Sequence, residues 1–214
     1  GGLMPRVADH AGTHFRLLNR RRGPAVRATR AQCDKQIYRK TMQRWLREIP
    51  NLSLMEAEVS NLQTKGSTII GITLASGKKV SCTSIILTTG TFLNGLCHVG
   101  SQKFNAGRSG ERASIQLADS IRAVGFEMGR LKTGTPPRVD RNSVSLESLE
   151  AQPGDDQPVF FSSQSQKVLQ TQTPCWITHT NQHVHEILQA NMHRSPLYSG
   201  EIVGIGPRYC PSIE

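Results

Sequence analysis

VSCTSIILTTGTFLNG, residues 80–95, is the stretch of sequence that decides the fold. It contains three consecutive large apolar residues, Ile85, Ile86 and Leu87, with Thr and Ser before them and Thr-Thr-Gly after them. A short apolar run with such borders is typical of a strand that is buried on both faces of a sheet. Because glycine has no Cβ, the exit of such a strand lets the backbone approach a ligand closely. The stretch therefore predicts either a ligand-binding strand exit or only a core strand with a tight turn.

The composition indicates a basic protein with a core of its own. Of the 214 residues, 36% are hydrophobic, and a chain of this length can bury one large or two small domains. No stretch approaches the roughly 18 consecutive apolar residues of a membrane span, so we expect a soluble protein without a membrane contact. Residues 1–30 lack the apolar segment of a signal peptide. Both ends resemble cut sites, which indicates an internal piece of a longer protein.

The charge and the cysteines narrow the choice of partner and compartment. The formal net charge is +10, and much of it lies between Arg16 and Arg47. Such an excess indicates a polyanionic partner, nucleic acid first, unless it is only a solvated basic face. Aromatic residues, at 5%, are too few for a stacking platform that binds single strands. Five widely spaced cysteines without a C-x-x-C pair favour a reducing compartment over a disulfide framework or a zinc site.

Hydrophobic periodicity and breakers predict the elements around the opening stretch. Pro50 ends a helix whose apolar residues include Met42 and Trp45. Gly125 is expected to end a second helix. The predicted elements are an arginine-rich loop (12–30), a helix (30–49), three strands (52–62, 68–75 and 78–87), a glycine-rich loop (95–114), a helix (114–125), an irregular domain boundary (129–140), a polar surface excursion (144–170), a strand (175–180) and a helix (181–192).

Two groups of side chains are candidates for chemistry. Cys210 lies two residues after Arg208 at the start of a possible helix, and both features lower the pKa of a thiol and make it a better nucleophile. The alternative is an inert buried cysteine. Basic side chains around the arginine-rich loop and the Gly-Thr-Pro-Pro turn are candidates for phosphate contacts, with a solvated surface as the alternative. They are Arg22, Arg27, Arg30, Lys132 and Arg138.

Two further patterns do not complete a site. His179, His183 and His185 are close in sequence but do not share one face of a helix, so we expect no metal site. The dinucleotide-binding pattern G-x-G-x-x-G is absent, and Gly204 and Gly206 form only a fragment of it.

Five strings together closely resemble the MnmG/GidA family of tRNA-modifying flavoenzymes. Their order and spacing agree with the family along essentially the whole chain. They are LNRRRGPAVRATRAQ (18–32), ILTTGTFLNG (86–95), GRLKTGTPPR (129–138), THTN (178–181) and GPRYCPSIE (206–214).

The resemblance implies an α/β fold: the FAD/NAD(P)-binding, Rossmann-like two-dinucleotide-binding flavoprotein fold, with an antiparallel β-meander and an inserted second domain. Residues 1–128 would be part of the FAD-binding domain, whose N-terminal glycine motif is missing from the sequence. Residues 129–214 would be part of the inserted NAD-binding-like domain.

The family's functional positions can be carried over to this sequence by its motifs. A reactive cysteine of the family corresponds to Cys210, which would be the catalytic residue. The implied FAD-binding residues are Val59, Thr88, Thr89, Gly90 and Ser114. The implied NAD-binding residues are Gly206, Pro207, Arg208, Tyr209, Cys210, Pro211, Ser212, Ile213 and Glu214.

The implied activity is FAD-dependent tRNA modification, which adds a carboxymethylaminomethyl or aminomethyl group to C5 of the wobble uridine. NADH would reduce the flavin, and methylenetetrahydrofolate would donate the one-carbon unit. The implied partners are tRNA, a GTPase of the modification complex and a second copy of the chain in a homodimer, in the cytoplasm or in a mitochondrion or plastid. Two alternatives remain: a non-catalytic basic RNA-binding or assembly fragment, and a folate-dependent tRNA (uracil-5-)methyltransferase flavoprotein, which the GPRYCPSIE string disfavours.

Overall fold

The computed structural model describes residues 2–108, 110–134 and 136–204. The described chain forms two compact units, each made of two segments. Unit 1 contains residues up to Met55 and from Val139 to His179, and unit 2 contains Glu56 to Arg138 and the residues that follow His179. The assignment of FAD-binding and NAD-binding domains stays a prediction.

The units are built from short helices and antiparallel strands. In chain order, these are α1 (Leu3–Ala11), β1 (Gly12–Leu18), β2 (Ala28–Cys33), α2 (Lys35–Arg47), β3 (Val59–Lys65), β4 (Thr68–Leu74), β5 (Lys79–Ser81), β6 (Leu96–Val99), β7 (Gln102–Asn105), α3 (Ile115–Ala123), β8 (Glu150–Gln152), β9 (Cys175–Ile177) and α4 (Gln182–Asn191).

The core of unit 1 lies around α1 and the β1–β2 hairpin. Val7, Ala11 and Phe15 are at most 1% exposed. The Phe15 ring meets the Phe160 ring edge to face, with the centroids 5.5 Å apart, so the second segment of the unit completes this core.

The prediction of a loop over residues 12–30 was wrong for residues 12–18 and 28–30, which belong to the β1–β2 hairpin, whereas residues 19–27 connect its two strands. In its register Arg16 lies opposite Arg30 and Leu18 lies opposite Ala28. Buried and more exposed residues do not alternate along β1. Its sequence therefore lacks the period of two from which a strand is predicted. The strand is stabilised instead by a distant segment: the Asp155 N–H donates to the Phe15 carbonyl at 2.8 Å.

The predicted helix over residues 30–49 exists but begins later. The Asp34 carboxylate accepts hydrogen bonds from the N–H groups of Gln36 and Ile37 at 2.8 and 2.9 Å, which caps α2. Arg30 therefore belongs to β2 and not to the helix.

Unit 2 contains the predicted three-stranded meander, with the strand order β3-β4-β5. The middle strand agrees with the prediction, but β3 begins seven residues later and β5 ends six residues earlier than expected. Helix α3 packs on β3, where the Leu62 N–H donates to Ser120 Oγ at 2.9 Å. The buried residues Leu117, Ala118 and Ile121 line this contact side of α3.

The buried strand predicted over residues 85–87 is not formed in this chain. The three residues have no regular secondary structure, and Ile86 and Leu87 are 88% and 42% exposed. No strand among the described residues pairs with them, so no sheet covers their side chains. An apolar run fits a buried strand, but neighbouring strands are needed to bury it.

The remaining elements agree with those predicted from the sequence, except in the glycine-rich loop and the polar excursion. The loop contains the β6–β7 hairpin, and the excursion contains β8, which pairs with the predicted strand β9. Helices α3 and α4 are confirmed, and Gly125, with φ of 105°, follows the end of α3 as predicted. Among the described residues, none of the helices has the length and apolar character that a membrane crossing needs.

Candidate functional site

The exit turn, defined as residues 88–95, is tightly folded although the strand before it is absent. The Phe92 N–H donates to the Thr89 carbonyl, and the Gly95 N–H donates to the Phe92 carbonyl, both at 3.3 Å. Gly90 and Asn94 have φ of 59° and 45°, a region in which glycine and asparagine are favoured. The expected close turn of small and polar residues is therefore present.

Ser114 lies directly against the exit turn. Its N–H donates to the Phe92 carbonyl at 2.8 Å, and its carbonyl accepts from the Asn94 N–H at 3.2 Å. Leu93 and Ser114 form a parallel bridge. The structure thus brings Ser114 against Phe92, Leu93 and Asn94 of the exit turn, two to four residues after Gly90.

The N-terminus of α3 has hydrogen-bond donors without partners in the helix. Ser114 is the N-cap residue, but its side chain makes no capping hydrogen bond, and the first turn of α3 contains no acidic residue. The first N–H groups of a helix have no partners within the helix, and the helix dipole favours negative charge there. The hydroxyl and these N–H groups are donors that an anion or a ribose oxygen could accept from.

Close packing fixes the shape of the exit turn. A Cβ on Gly107 would collide with the Phe92 ring, and a Cβ on Gly95 would collide with the Ala106 carbonyl. Thr91 Oγ1 donates to the Gly107 carbonyl at 2.9 Å. The glycines let two backbone segments approach each other here, and their contact holds the turn.

Val59, the remaining predicted flavin residue, lies in the same unit but not in the turn. It is half-buried at the start of β3, opposite Leu74 of β4. Since β3 supports α3, Val59 belongs to the sheet beneath the candidate site.

Asn94 is a site residue that the sequence did not single out, and it contacts Arg130, which precedes the Gly-Thr-Pro-Pro turn. Arg130 Nη2 donates to the Asn94 carbonyl at 3.3 Å, so the segment of residues 129–138 reaches the exit turn. A Cβ on Gly204 would lie 3.1 Å from the Arg130 carbonyl oxygen. Both residues lie within the strings that carry the resemblance, but their contact depends on the fold.

The predicted catalytic and NAD-binding residues lie outside the described part of the chain. These are the nine residues from Gly206 to Glu214, with Cys210 among them.

The candidate phosphate contacts are divided between the two units. Lys132 is half-buried and Arg138 is exposed, both in unit 2. The hairpin residues Arg22 and Arg27 are exposed and Arg30 is half-buried, all in unit 1.

The described cysteines and histidines form no reactive or metal-binding cluster. Cys33 is a free thiol whose pKa is raised, first by burial and then by the nearby Asp9 carboxylate, which makes it a poor nucleophile. The ring of His185 is hydrogen-bonded to Thr180 Oγ1 at 2.7 Å. Within residues 2–108, 110–134 and 136–204, no group of three or more His, Cys, Asp or Glu is arranged to hold a metal ion.

Two known proteins with similar sequences are tRNA-modifying enzymes by name. The tRNA uridine 5-carboxymethylaminomethyl modification enzymes MnmG of Thermodesulfovibrio yellowstonii and Geobacter sulfurreducens are each 48% identical to the chain over all 214 residues. The match covers 100% of this chain and 34% of each relative, so the chain spans about a third of their length.

A crystal structure of Aquifex aeolicus GidA has a similar fold. It is 40% identical, with a TM-score of 0.86 over 99% of this chain and 36% of that protein. The chain thus has the α/β, Rossmann-type flavoprotein fold of GidA with its antiparallel strands, which confirms the predicted fold class. The family model described as glucose inhibited division protein A matches residues 1–214. The chain therefore belongs to the glucose inhibited division protein A (GidA) family.

Proposed function

We propose that this chain is part of an FAD-dependent enzyme that modifies the wobble uridine of tRNA. The observation that carries the proposal is the 48% identity, over the whole chain, to proteins named as tRNA uridine 5-carboxymethylaminomethyl modification enzymes. The chain spans 34% of those relatives, so the activity is proposed for a full-length protein that contains it.

The exit turn and the N-terminus of α3 are proposed to hold the flavin nucleotide. Ser114 Oγ and the first N–H groups of α3 would donate to phosphate or ribose oxygens, and Gly90 would let the backbone come close to the cofactor. Arg130 would keep the turn in shape through the Asn94 carbonyl. Bound FAD would supply the redox chemistry of the reaction.

The remaining proposals concern NADH, the one-carbon donor and the partners. The names of the matched proteins do not mention them. Residues 206–214 would bind NADH, and Cys210 would act as a nucleophile or proton-transfer group near the uridine. The one-carbon donor would be methylenetetrahydrofolate. The proposed partners are a GTPase of the modification complex and a second copy of the chain, and the proposed location is the cytoplasm, or a mitochondrion or plastid in a eukaryote.

The substitution Cys210→Ser in the full-length protein tests this function. We expect wobble-uridine modification to be abolished, while the flavin content and the fold are unchanged, because serine keeps the size but is a much weaker nucleophile at neutral pH. Modified nucleosides in tRNA digests are measured by mass spectrometry, and bound flavin by its absorbance.

Cys175→Ser is the matched control. Cys175 is a free, half-buried thiol in β9 whose Sγ lies 3.4 Å from Gln32 Nε2, so we expect this variant to modify tRNA normally. Normal modification by the Cys210→Ser protein would exclude the proposed role of that thiol. A protein that carries flavin but modifies no tRNA in any variant would overturn the proposed function.

A further inference from the structure

The net positive charge of the chain is confined to one segment. Residues 16–47 contain eleven of the 26 Lys and Arg residues but only one of the 16 acidic residues, Asp34. The rest of the chain therefore contains fifteen basic and fifteen acidic residues. The whole excess of +10 lies in the β1–β2 hairpin and α2 of unit 1.

Helix α2 presents five of these cations on its exposed side. All five side chains are exposed, and in the described part of the chain none of them forms an ion pair. The glutamines Gln36 and Gln43 lie between them and are also exposed. We call these five residues the cationic face: Lys35, Arg39, Lys40, Arg44 and Arg47.

The charges of the cationic face repel one another, although Arg44 and Arg47 lie in the last turn of α2, where the helix dipole favours cations. Lys35 and Arg39, and likewise Lys40 and Arg44, are like charges four residues apart, and each such pair destabilises a helix by about 0.2–0.5 kcal/mol. Lys35 also lies at the positive end of the helix dipole. A bound polyanion would convert this repulsion into attraction.

The opposite side of α2 is engaged within unit 1. The Trp45 ring meets the His10 ring at 5.7 Å, and the Arg6 guanidinium lies 4.8 Å above Trp45. Thr41 is buried. A helix that lies in a membrane surface needs an exposed apolar side to insert, and here the aromatic side of α2 packs on α1. The exposed side therefore fits a charged partner and not a lipid surface.

We propose that the cationic face of α2 binds the phosphate backbone of structured RNA, an inference that rests on the proposed tRNA substrate. From Lys35 to Arg47 the helix rises about 18 Å, and cations four residues apart are separated by about 6 Å along the axis. Strand β2, about 17 Å long, connects this face to the candidate phosphate residues Arg22 and Arg27. Both clusters belong to unit 1.

The test compares two triple variants of the full-length protein with equal loss of charge. Arg39→Gln, Lys40→Gln and Arg44→Gln remove the centre of the cationic face, and glutamine has a helix propensity close to that of Lys and Arg. The control replaces Lys65, Lys78 and Lys79, which are exposed in unit 2, by Gln. Fluorescence anisotropy measures the Kd for an unmodified tRNA transcript and for a duplex RNA without a wobble uridine, between about 50 and 200 mM salt.

For the α2 variant we expect the slope of log K against log salt to become shallower by about 2 to 3, since each phosphate contact contributes about one. The affinity for both RNAs should fall at least about tenfold at the lower salt concentration, while the control changes it by about twofold or less. The single variant Arg39→Gln should lower the slope by about one.

An unchanged slope in the α2 variant, or equal losses in the α2 and control variants, would overturn the proposal. It is also overturned if the α2 variant loses binding to anionic phospholipid vesicles or to an acidic protein while its RNA affinity is unchanged. Failure of the proposed function is a separate result. If the parent protein modifies no tRNA but its duplex RNA affinity still falls with the α2 substitutions, the cationic face is supported and the function is not.

Discussion

Ser114 is an N-cap residue whose hydroxyl does not cap its helix. N-cap serines usually accept a hydrogen bond from the second or third helical N–H, and replacing them by alanine costs about 0.5–2 kcal/mol. At α3 the side chain makes no such bond, whereas its backbone N–H is bonded to the exit turn. The hydroxyl is therefore available to a ligand, and its contribution to binding can be separated from its contribution to stability.

We expect Ser114→Ala in the full-length protein to leave the Tm nearly unchanged but to lower the affinity for FAD. Loss of one hydrogen bond to a charged oxygen is worth about 1.5–3 kcal/mol, which is at least about a tenfold increase in Kd. Flavin absorbance per protein and a titration of the apoprotein with FAD measure the effect.

Asn181→Ala is the matched control, because the Asn181 side chain does cap α4, accepting from the Val184 N–H at 3.0 Å. This variant should lower the Tm and keep the flavin affinity. If Ser114→Ala lowers the Tm as much as Asn181→Ala and binds FAD normally, Ser114 serves the helix and not the cofactor.

At the residue scale, the sequence indicated the turn and the residue beside it, while their role in binding FAD stays a prediction. Gly90 follows from its place in a turn of small residues, and Ser114 follows from the resemblance. The contact between Arg130 and Asn94 was not predictable, because the two residues are 36 positions apart and their contact exists only in the fold.

At the scale of elements, the hairpin β1–β2 shows the limit of prediction from local sequence patterns. Helix α2 was predicted because its apolar period and Pro50 are local signals. Strand β1 depends on distant partners: the Thr173 N–H donates to the Thr13 carbonyl at 2.8 Å. The Asp9 carboxylate of the preceding helix likewise accepts from the N–H groups of Phe161 and Ser162, both at 2.9 Å. No local pattern encodes such contacts.

Asp155 joins the hairpin to the second segment of unit 1 and makes this contact pH-dependent. Burial alone would raise the pKa of Asp155, but the hydrogen bond from the Leu17 N–H and the ion pair with Arg20 outweigh it and hold the pKa below its ordinary value. The Arg20 Nη2 to Asp155 Oδ2 distance is 2.5 Å. The resulting stabilisation is present above the pKa of an unfolded aspartate, about 4, and is lost as the pH falls through the lower folded value.

We expect Asp155→Asn to make the free energy of unfolding less dependent on pH between about 5 and 3. The difference should be at most about 1 kcal/mol, because the Arg20 side chain is 56% exposed and water screens the pair. Urea denaturation at several pH values measures it. Asp156→Asn, at an exposed neighbouring carboxylate, is the control. The ion pair has no such role if both variants retain the pH dependence of the parent.

At the scale of the whole molecule, two observations indicate that a longer protein covers the apolar run of residues 85–87. They are the exposure of the run and the length of the relatives. Ile86 is 88% exposed, although a run of three large apolar residues is typical of a covered strand. The chain spans about a third of the length of its relatives. We therefore propose that, in a protein of the relatives' length, further strands pair with this run and cover it, as the sequence pattern predicts.

Ile86→Asp should consequently have different effects in the two chain lengths. In the 214-residue chain we expect little change in the urea midpoint, because an exposed isoleucine loses almost no buried area. In the full-length protein a buried charge in the sheet should destabilise the folded state by several kcal/mol.

Hydrogen exchange gives an independent measure, since the amides of residues 84–88 should be protected only in the longer protein. Val99→Asp, at a residue 61% exposed in an already paired hairpin, should have little effect in either length. Equal small effects of Ile86→Asp in both lengths, with fast exchange in both, would show that the run remains exposed and that its apolar pattern has another cause.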